Sequence, residues 1–336
     1  MCLILVAWQS HPDYALVVAG NRDEFYARPA APVHWWEDAP QVLAGRDLAE
    51  VIGEPGTWMG LAGDGRFAAL TNYRAPSEKR TDARSRGELV AGFLRGDSDP
   101  QSYLSGLVPR TGAYNGFNLL ACDLRELWWY SNRGTSPYPQ RLKPGIYGLS
   151  NALLDTPWPK VRSRVGALAE TLAADTGLPG ASVEPYLDLL ANDRQALDAE
   201  LPRTGVTPEW EKLLSSAFIR SPSYGTRAMA MALAPAPCCA CATTAASSSA
   251  SAASTPPAAP ARCPTAATCA LPATPARCKR RAKASWLSTA GPPVPPGAMP
   301  RSAPGWRRGH CARPAATHPR NARSPATARH AAPVRD

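Results

Sequence analysis

Two apolar runs open the chain, CLILVAWQ over 2–9 and YALVVAGN over 14–21, on either side of the turn residues SHPD. Short, continuous runs of this kind fit buried strands, and their spacing fits a hairpin. A second hairpin is predicted where TWMGLAG and RFAALTN flank Asp64-Gly65, a dipeptide suited to the tight turn that twisted strands require. The period then lengthens. Ser85 with Glu88 gives a capping-box signature ahead of LVAGFL, and Asp99-Pro100 supplies a cap and a first-turn proline for the next helix. GFNLLACD, LWWYSN and GIYGLSN read as three further strands. In PKVRSRVGALAETLAAD, Val161, Val165, Leu168 and Leu172 fall on one helical stripe. Shorter helical patterns occupy roughly 183–191 and 208–216. Hairpins, a helix pair, more strands and then more helices predict a layered α+β protein rather than a βαβ nucleotide fold. No G-x-G-x-x-G or Walker sequence supports the latter.

Composition divides the chain in two. From Met1 to Ala228 there are 23 Lys+Arg and 26 Asp+Glu, a net 23 − 26 = −3; from Met229 to Asp336 there are 14 and 1, a net +13. The formal +10 therefore belongs to the second part, and net charge gives no support for nucleic-acid binding by the first. After Ala228 there is no Ile, Phe, Tyr or Glu, while Ala, Pro, Ser, Thr and Arg dominate. Such a segment buries too little apolar surface to offset its ordering entropy, which predicts a disordered tail over 229–336. Its dense Cys, Pro and Arg without periodicity also fit a coding region read out of frame, the reading we favour. Cys238, Cys239, Cys241, Cys263, Cys269, Cys278 and Cys311 lie there, but without metal-ligand spacing, so no metal site is expected. The body has only Cys2 and Cys122, too few for a disulfide framework. With no basic leader and no apolar run long enough to span a membrane, a cytoplasmic domain over 1–228 is expected.

Against this pattern, polar groups stand out at strand ends. Asn21, Arg22, Asp23 and Glu24 close the second strand, Asn72 ends RFAALTN, and Asn151 ends GIYGLSN. Any one Asn is readily explained as a turn former. Three of them, with a cysteine at position 2, favour a shared site. Removal of Met1 would leave Cys2 with a thiol and a free α-amine, whose unperturbed pKa values of about 8.5 and about 7.7–8.0 let the amine act as the thiol's base. The alternative is a buried cysteine that merely opens an apolar strand. Alternation along the strand would send Asp23 toward the amine and Arg22 with Glu24 to the other face, as active-site groups or as a rim salt bridge.

The ordered series MCLI, AGNRDEFYARP, GTWMGL, ALTNYR, YGLSNALLDTPWPK and FIRSPSYGTR resembles the NRDE-motif family, the transport and Golgi organisation protein 2 family, over Met1 to about Ala228. The family's usual continuation after YGTR is a pair of strands with charged turns. This chain instead has AMAMALAPAPCCACATTAA, so the fold is expected to be incomplete at its C-terminal end.

The order Cys, Asp, Asn, Asn, Arg is also distantly similar to N-terminal-nucleophile hydrolases of the bile-salt hydrolase and penicillin acylase type. That resemblance implies an αββα sandwich of two antiparallel sheets between helix layers. It implies Cys2 as nucleophile, Asp23 as the carboxylate orienting its amine, Asn72 and Asn151 as oxyanion or substrate-positioning groups and Arg227 as a charged orienting group. Asn21, Arg22 and Trp58 are the candidate substrate-binding residues. Those enzymes often carry Arg two residues before the Asn-x-Asp, where this chain has Gly20.

Two function classes follow. One is hydrolysis of an amide or related acyl bond in a small molecule through a Cys2 acyl-enzyme, with no cofactor. The other, implied by the NRDE-family resemblance, is a non-catalytic carrier of haem, lipid or acyl-CoA, with Trp35, Trp36, Trp58, Trp128 and Trp129 lining an apolar cleft. His11 and His34 are the body's only histidines, and neither is a convincing axial haem ligand.

Overall fold

In a computed structural model the chain is described over residues 2–177 and 182–236, with the backbone of 283–287. The first hairpin is β1 (Cys2–His11) and β2 (Tyr14–Phe25). With β10 (Gly145–Leu149), β11 (Tyr224–Pro235) and β12 (Lys283–Leu287) it forms a five-stranded sheet in the order β10-β1-β2-β11-β12. A seven-stranded sheet runs in chain order through β3 (Ala30–Trp35), β4 (Val42–Asp47), β5 (Met59–Ala62), β6 (Phe67–Asn72), β7 (Phe117–Cys122), β8 (Leu127–Ser131) and β9 (Gln140–Arg141). The strand pairs are antiparallel throughout. The helices are α1 (Gly87–Arg95), α2 (Pro100–Leu107), α3 (Pro159–Ala174), α4 (Glu184–Leu190) and α5 (Pro208–Leu213).

Alternation along β1 explains its continuous apolar run. Ile4, Val6 and Trp8 pack between the sheets against Met59, Phe67 and Leu120, while Leu3, Leu5 and Ala7 pack against Val161 and Leu168 of α3 and Leu187 of α4. On the far side, Leu70 and Leu119 meet Val90 and Phe93 of α1 and Leu104 of α2. The layers are therefore helix, sheet, sheet, helix, as the resemblance implies. The helix α3 lies directly on β10, where a Cβ at Gly148 would come within 2.6 Å of Val161 and Val165. This close approach brings the first turn of α3 near Asn151, just past the end of β10.

Several local expectations hold and others fail for visible reasons. Asp99 caps α2 by accepting from the Ser102 amide at 2.8 Å. The Ser85–Glu88 box does not form: α1 has no side-chain cap, and Glu88 instead accepts from Arg84 at 2.7 Å, Tyr114 at 2.5 Å and the Glu54 amide at 3.1 Å. Strands β3 and β4 leave little period in the sequence. Strand β3 contains Pro32 and carries a register shift between Ala31 and His34, and as an edge strand it tolerates the missing donor.

Strand β11 continues past Ala228, where composition changes, and Met229–Leu233 pair with β12. Its alanines and methionines alternate between the two core layers, Ala230, Ala232 and Ala234 inward and Met229 and Met231 toward the helices. Small apolar residues suit a central strand, although by composition they read as tail. Within the expected tail, the backbone of 283–287 is also in strand, and the rest, including the seven cysteines, lies outside the described residues. Among the described residues, no helix is long and apolar enough to cross a membrane.

Candidate active site

Cys2 is the first residue of β1, 6% exposed, and stands opposite Arg22 of β2. Opposed residues share a face, so the thiol and Arg22 lie on the side of Ile4 and Val6, between the sheets. Asn21 and Asp23 occupy the helix face. Arg22 pairs with Glu24 at 3.8 Å. Burial pushes the Cys2 thiol up; the amino terminus and Arg22 pull it down, and Asp23 and Glu24 add to the rise.

The NRDE segment does not leave the sheet as its polarity suggests. It stays in strand because β11 pairs along it, with Thr226 opposite Asp23 and Tyr224 opposite Phe25. Asp23 is 1% exposed. Its Oδ1 accepts from the Thr226 hydroxyl at 2.6 Å, and its carbonyl accepts from the Tyr224 hydroxyl at 3.2 Å. Burial raises the carboxyl's pKa, while Lys160, the amino terminus, the Thr226 bond and Arg22 oppose that rise.

Asn72 and Asn151 meet across the two sheets beside Cys2. The Asn151 side-chain amide donates to the Asn72 carbonyl at 2.8 Å, and the Asn151 carbonyl accepts from the Arg74 amide at 2.7 Å. Ser150, the preceding residue, donates its hydroxyl to the Cys2 carbonyl at 3.0 Å. Cys2, Asp23, Asn72 and Asn151 thus gather at one end of the sandwich, where β1 begins and β2, β6 and β10 finish.

The transport and Golgi organisation 2 family model matches residues 1–235. The chain belongs to this family. Among its relatives, the bovine transport and Golgi organization protein 2 homolog is 40% identical over 244 residues, covering 68% of this chain and 86% of that protein. The Drosophila melanogaster protein 2 is 30% identical over 256 residues, covering 68% and 85%. Two solved structures are similar at lower level. A Caenorhabditis elegans N-acylethanolamine-hydrolyzing acid amidase ortholog has 11% identity, 56% and 86% coverage and a TM-score of 0.36. A variant of the conjugated bile acid hydrolase from Clostridium perfringens has 9% identity, 69% and 85% coverage and a TM-score of 0.40.

Other expected site residues of this family member are placed elsewhere. Asn21 is fully buried and donates from Nδ2 to the carbonyls of Leu190 at 2.8 Å and Ala217 at 2.7 Å, tying β2 to the helix layer rather than facing a ligand. Arg227 donates to the carbonyls of Phe25, at 3.2 Å, and Arg28, and shares the corner after β2 with Glu24, Arg28 and Asp47. Trp58 is half-buried over Gly20, where a Cβ would meet the Leu3 carbonyl at 3.0 Å and the indole at 3.3 Å. Position 20 therefore has no room for an arginine. Cations near the thiol include Arg22 and Arg86, the latter half-buried, donating to the Gly116 carbonyl at 3.0 Å and pushed down to about 10 by desolvation. The tryptophans do not line one cleft: Trp36 and Trp128 pack under α1 and α2, Trp58 and Trp129 between the sheets.

Two functional candidates were missed. Lys160, the second residue of α3, is 4% exposed and lies in the field of Asp23 and Cys2. Arg74, two residues after Asn72, is ion-paired with Glu211 at 2.6 Å. The available signal was position: TNYR and TPWPK both belong to the family series, and a lysine in the first helical turn opposes the helix dipole.

Proposed function

We propose that the protein hydrolyses an amide or related acyl bond with Cys2 as nucleophile, after loss of Met1, and with its own α-amine as base. The amine takes the thiol proton while sulfur attacks the acyl carbon. The resulting oxyanion accepts hydrogen bonds from the side-chain amides of Asn72 and Asn151, the latter having spent one N–H on the Asn72 carbonyl. The ammonium then protonates the leaving nitrogen or oxygen, and the C–N or C–O bond breaks to leave a Cys2 thioester. Water attacks the thioester, gives its proton to the amine and releases the acid; the proton returns to sulfur.

The observation that carries this reading is the place of Asp23, buried one position beyond the Cys2–Arg22 pair at the start of β1, with its carboxylate fixed by the Thr226 hydroxyl. A carboxylate so placed holds and orients an ammonium. The thiol, raised by burial, needs a base. The body's two histidines do not supply one, since His11 lies at the far end of β1 against the Asp175 carbonyl, and His34 is bonded to the Pro32 carbonyl. The test is turnover of a panel of acyl p-nitrophenyl esters and p-nitroanilides. Cys2→Ala is expected to fall to the uncatalysed rate, and Asn151→Ala to lose about 10²–10³ in kcat. Equal turnover by wild type and Cys2→Ala contradicts the proposal.

A further inference from the structure

The first turn of α3 places a cation where folding alone disfavours one. Lys160 is buried, sits at the positive end of a 16-residue helix, and its Nζ has no hydrogen-bond partner among the described residues. Beside it is a second cation. The Arg74 guanidinium lies over the Trp158 ring at 4.7 Å and gives Nη1 to Glu211, but its Nε and Nη2 are buried without a partner among the described residues. Glu211 makes no hydrogen bond to Lys160: one oxygen accepts from Arg74, and the other from the amide and hydroxyl of Thr204 at 2.7 and 2.6 Å. Arg74, Trp158, Lys160, Glu211, Leu214 and Ser215 line one small, partly open cavity of about 10 Å³.

We infer that Arg74 and Lys160 form a subsite for an oxyanion, a carboxylate or phosphate group carried by the ligand, at the N-terminal end of α3. The two cations, with three donor atoms that have no partner among the described residues, line one cavity at a helix N-terminus, and the cavity's one carboxylate is engaged by Arg74 and Thr204. An oxyanion supplies what the protein lacks: acceptors for Nζ, Nε and Nη2 and a negative charge between two positive ones. The subsite adjoins the nucleophile, because the Arg74 amide holds the Asn151 carbonyl and Ser150 holds the Cys2 carbonyl. It does not depend on turnover at Cys2, so it stands or falls separately from the hydrolase proposal.

Lys160 is faced by Asp23 from β2, Cys2 from β1 and Arg74 from the segment after β6, with Glu211 of α5 behind Arg74. Burial and Arg74 pull the ammonium down to about 8, against Asp23 and Cys2. A bound oxyanion favours the ammonium, so binding and protonation reinforce one another. The test titrates acetate and inorganic phosphate into the full chain at constant ionic strength, against a chloride baseline, and follows the thermal midpoint at pH 7 and pH 9.5. Wild type is expected to rise saturably at pH 7 with at least one of the two and to lose most of the response at pH 9.5. Lys160→Arg is expected to respond at both pH values, and Lys160→Met at neither. A response to acetate alone assigns a carboxylate, and one to phosphate alone a phosphate group. An undiminished response in Lys160→Met, or no saturable response in wild type, overturns the subsite. In wild type alone, the NMR titration midpoint of the Lys160 ε-carbon must rise when the anion is added; an unchanged midpoint also overturns it.

Discussion

Two buried pairs of opposite charge lie close together at one end of the sandwich, and they are built differently. Arg74 and Glu211 are closed on each other at 2.6 Å, and the spare carboxylate oxygen is taken by Thr204. Asp23 and Lys160 attract one another, yet Nζ makes no hydrogen bond among the described residues, and Asp23 spends one oxygen on Thr226. A closed buried pair offsets its desolvation with geometry and serves to hold α5 against the segment after β6. On the Lys160 side part of that desolvation is uncompensated among the described residues, which is tolerated where a group acts on something else. The first pair holds α5 through Glu211 yet leaves Arg74 Nε and Nη2 to the proposed subsite, and the second leaves Lys160 Nζ to it.

Breaking the closed pair has the largest expected effect. Glu211→Leu leaves Arg74 buried and uncompensated, and is expected to lower unfolding free energy by about 3–5 kcal/mol in urea denaturation at pH 7. A loss under about 1 kcal/mol would erase the distinction between the two pairs.

The second pair is expected to show itself in pH dependence. Burial lowers the Lys160 pKa from 10.5 to about 8 in the folded chain, so between these values the unfolded chain holds a proton that the folded chain lacks. Raising the pH through this window therefore favours folding, by on the order of 3 kcal/mol. The thiols of Cys2 and Cys122, both raised by burial, act in the opposite direction and are common to wild type and variant. Wild type minus Lys160→Met should thus gain stability from pH 8 to 10.5, and a flat difference would mean that Lys160 is solvated.

Asn21→Leu removes two bonds to the Leu190 and Ala217 carbonyls and is expected to cost about 1–3 kcal/mol while sparing Cys2 acylation per folded molecule. Selective loss of acylation would return Asn21 to the site. The smallest expected effect is a displacement of the pH–acylation profile by Asp23→Asn. A carboxylate near the amine favours the ammonium, so removing its charge lets the amine become a free base at lower pH. The acid limb moves down, and the maximal rate falls because the amine is less well held. An unmoved profile with a lower thermal midpoint would make Asp23 purely structural.

The sequence was informative wherever one residue type carried one physical demand. Continuous apolar runs announced β1 and β2, since both faces of that sheet are covered, and the stripe from Val161 to Leu172 announced α3. Asn72 and Asn151 were legible as polar residues ending apolar strands. Asn21 was not, because a buried bond to a distant carbonyl and a bond to a ligand call for the same side chain. Glu88 was misread as a cap because its partners Arg84 and Tyr114 are set by packing. Lys160 was passed over because a lysine between Pro159 and Val161 reads as a solvated helix end. Tertiary packing buries it, with α3 seated on Gly148 of β10 and Leu214 and Ser215 beside its first turn.

The most direct test of the central claim, that Cys2 acts as a nucleophile with its own amine as base, is peptide-mapped mass spectrometry of the full chain after brief exposure to a p-nitrophenyl acyl ester near neutral pH. Cys122 serves as an internal control among the described residues, being fully buried and pushed up to about 12. The expected result is a single acyl adduct on Cys2 of molecules lacking Met1, discharged over time by water. Equal labelling of molecules that retain Met1, or labelling at Cys122 with Cys2 untouched, would contradict it.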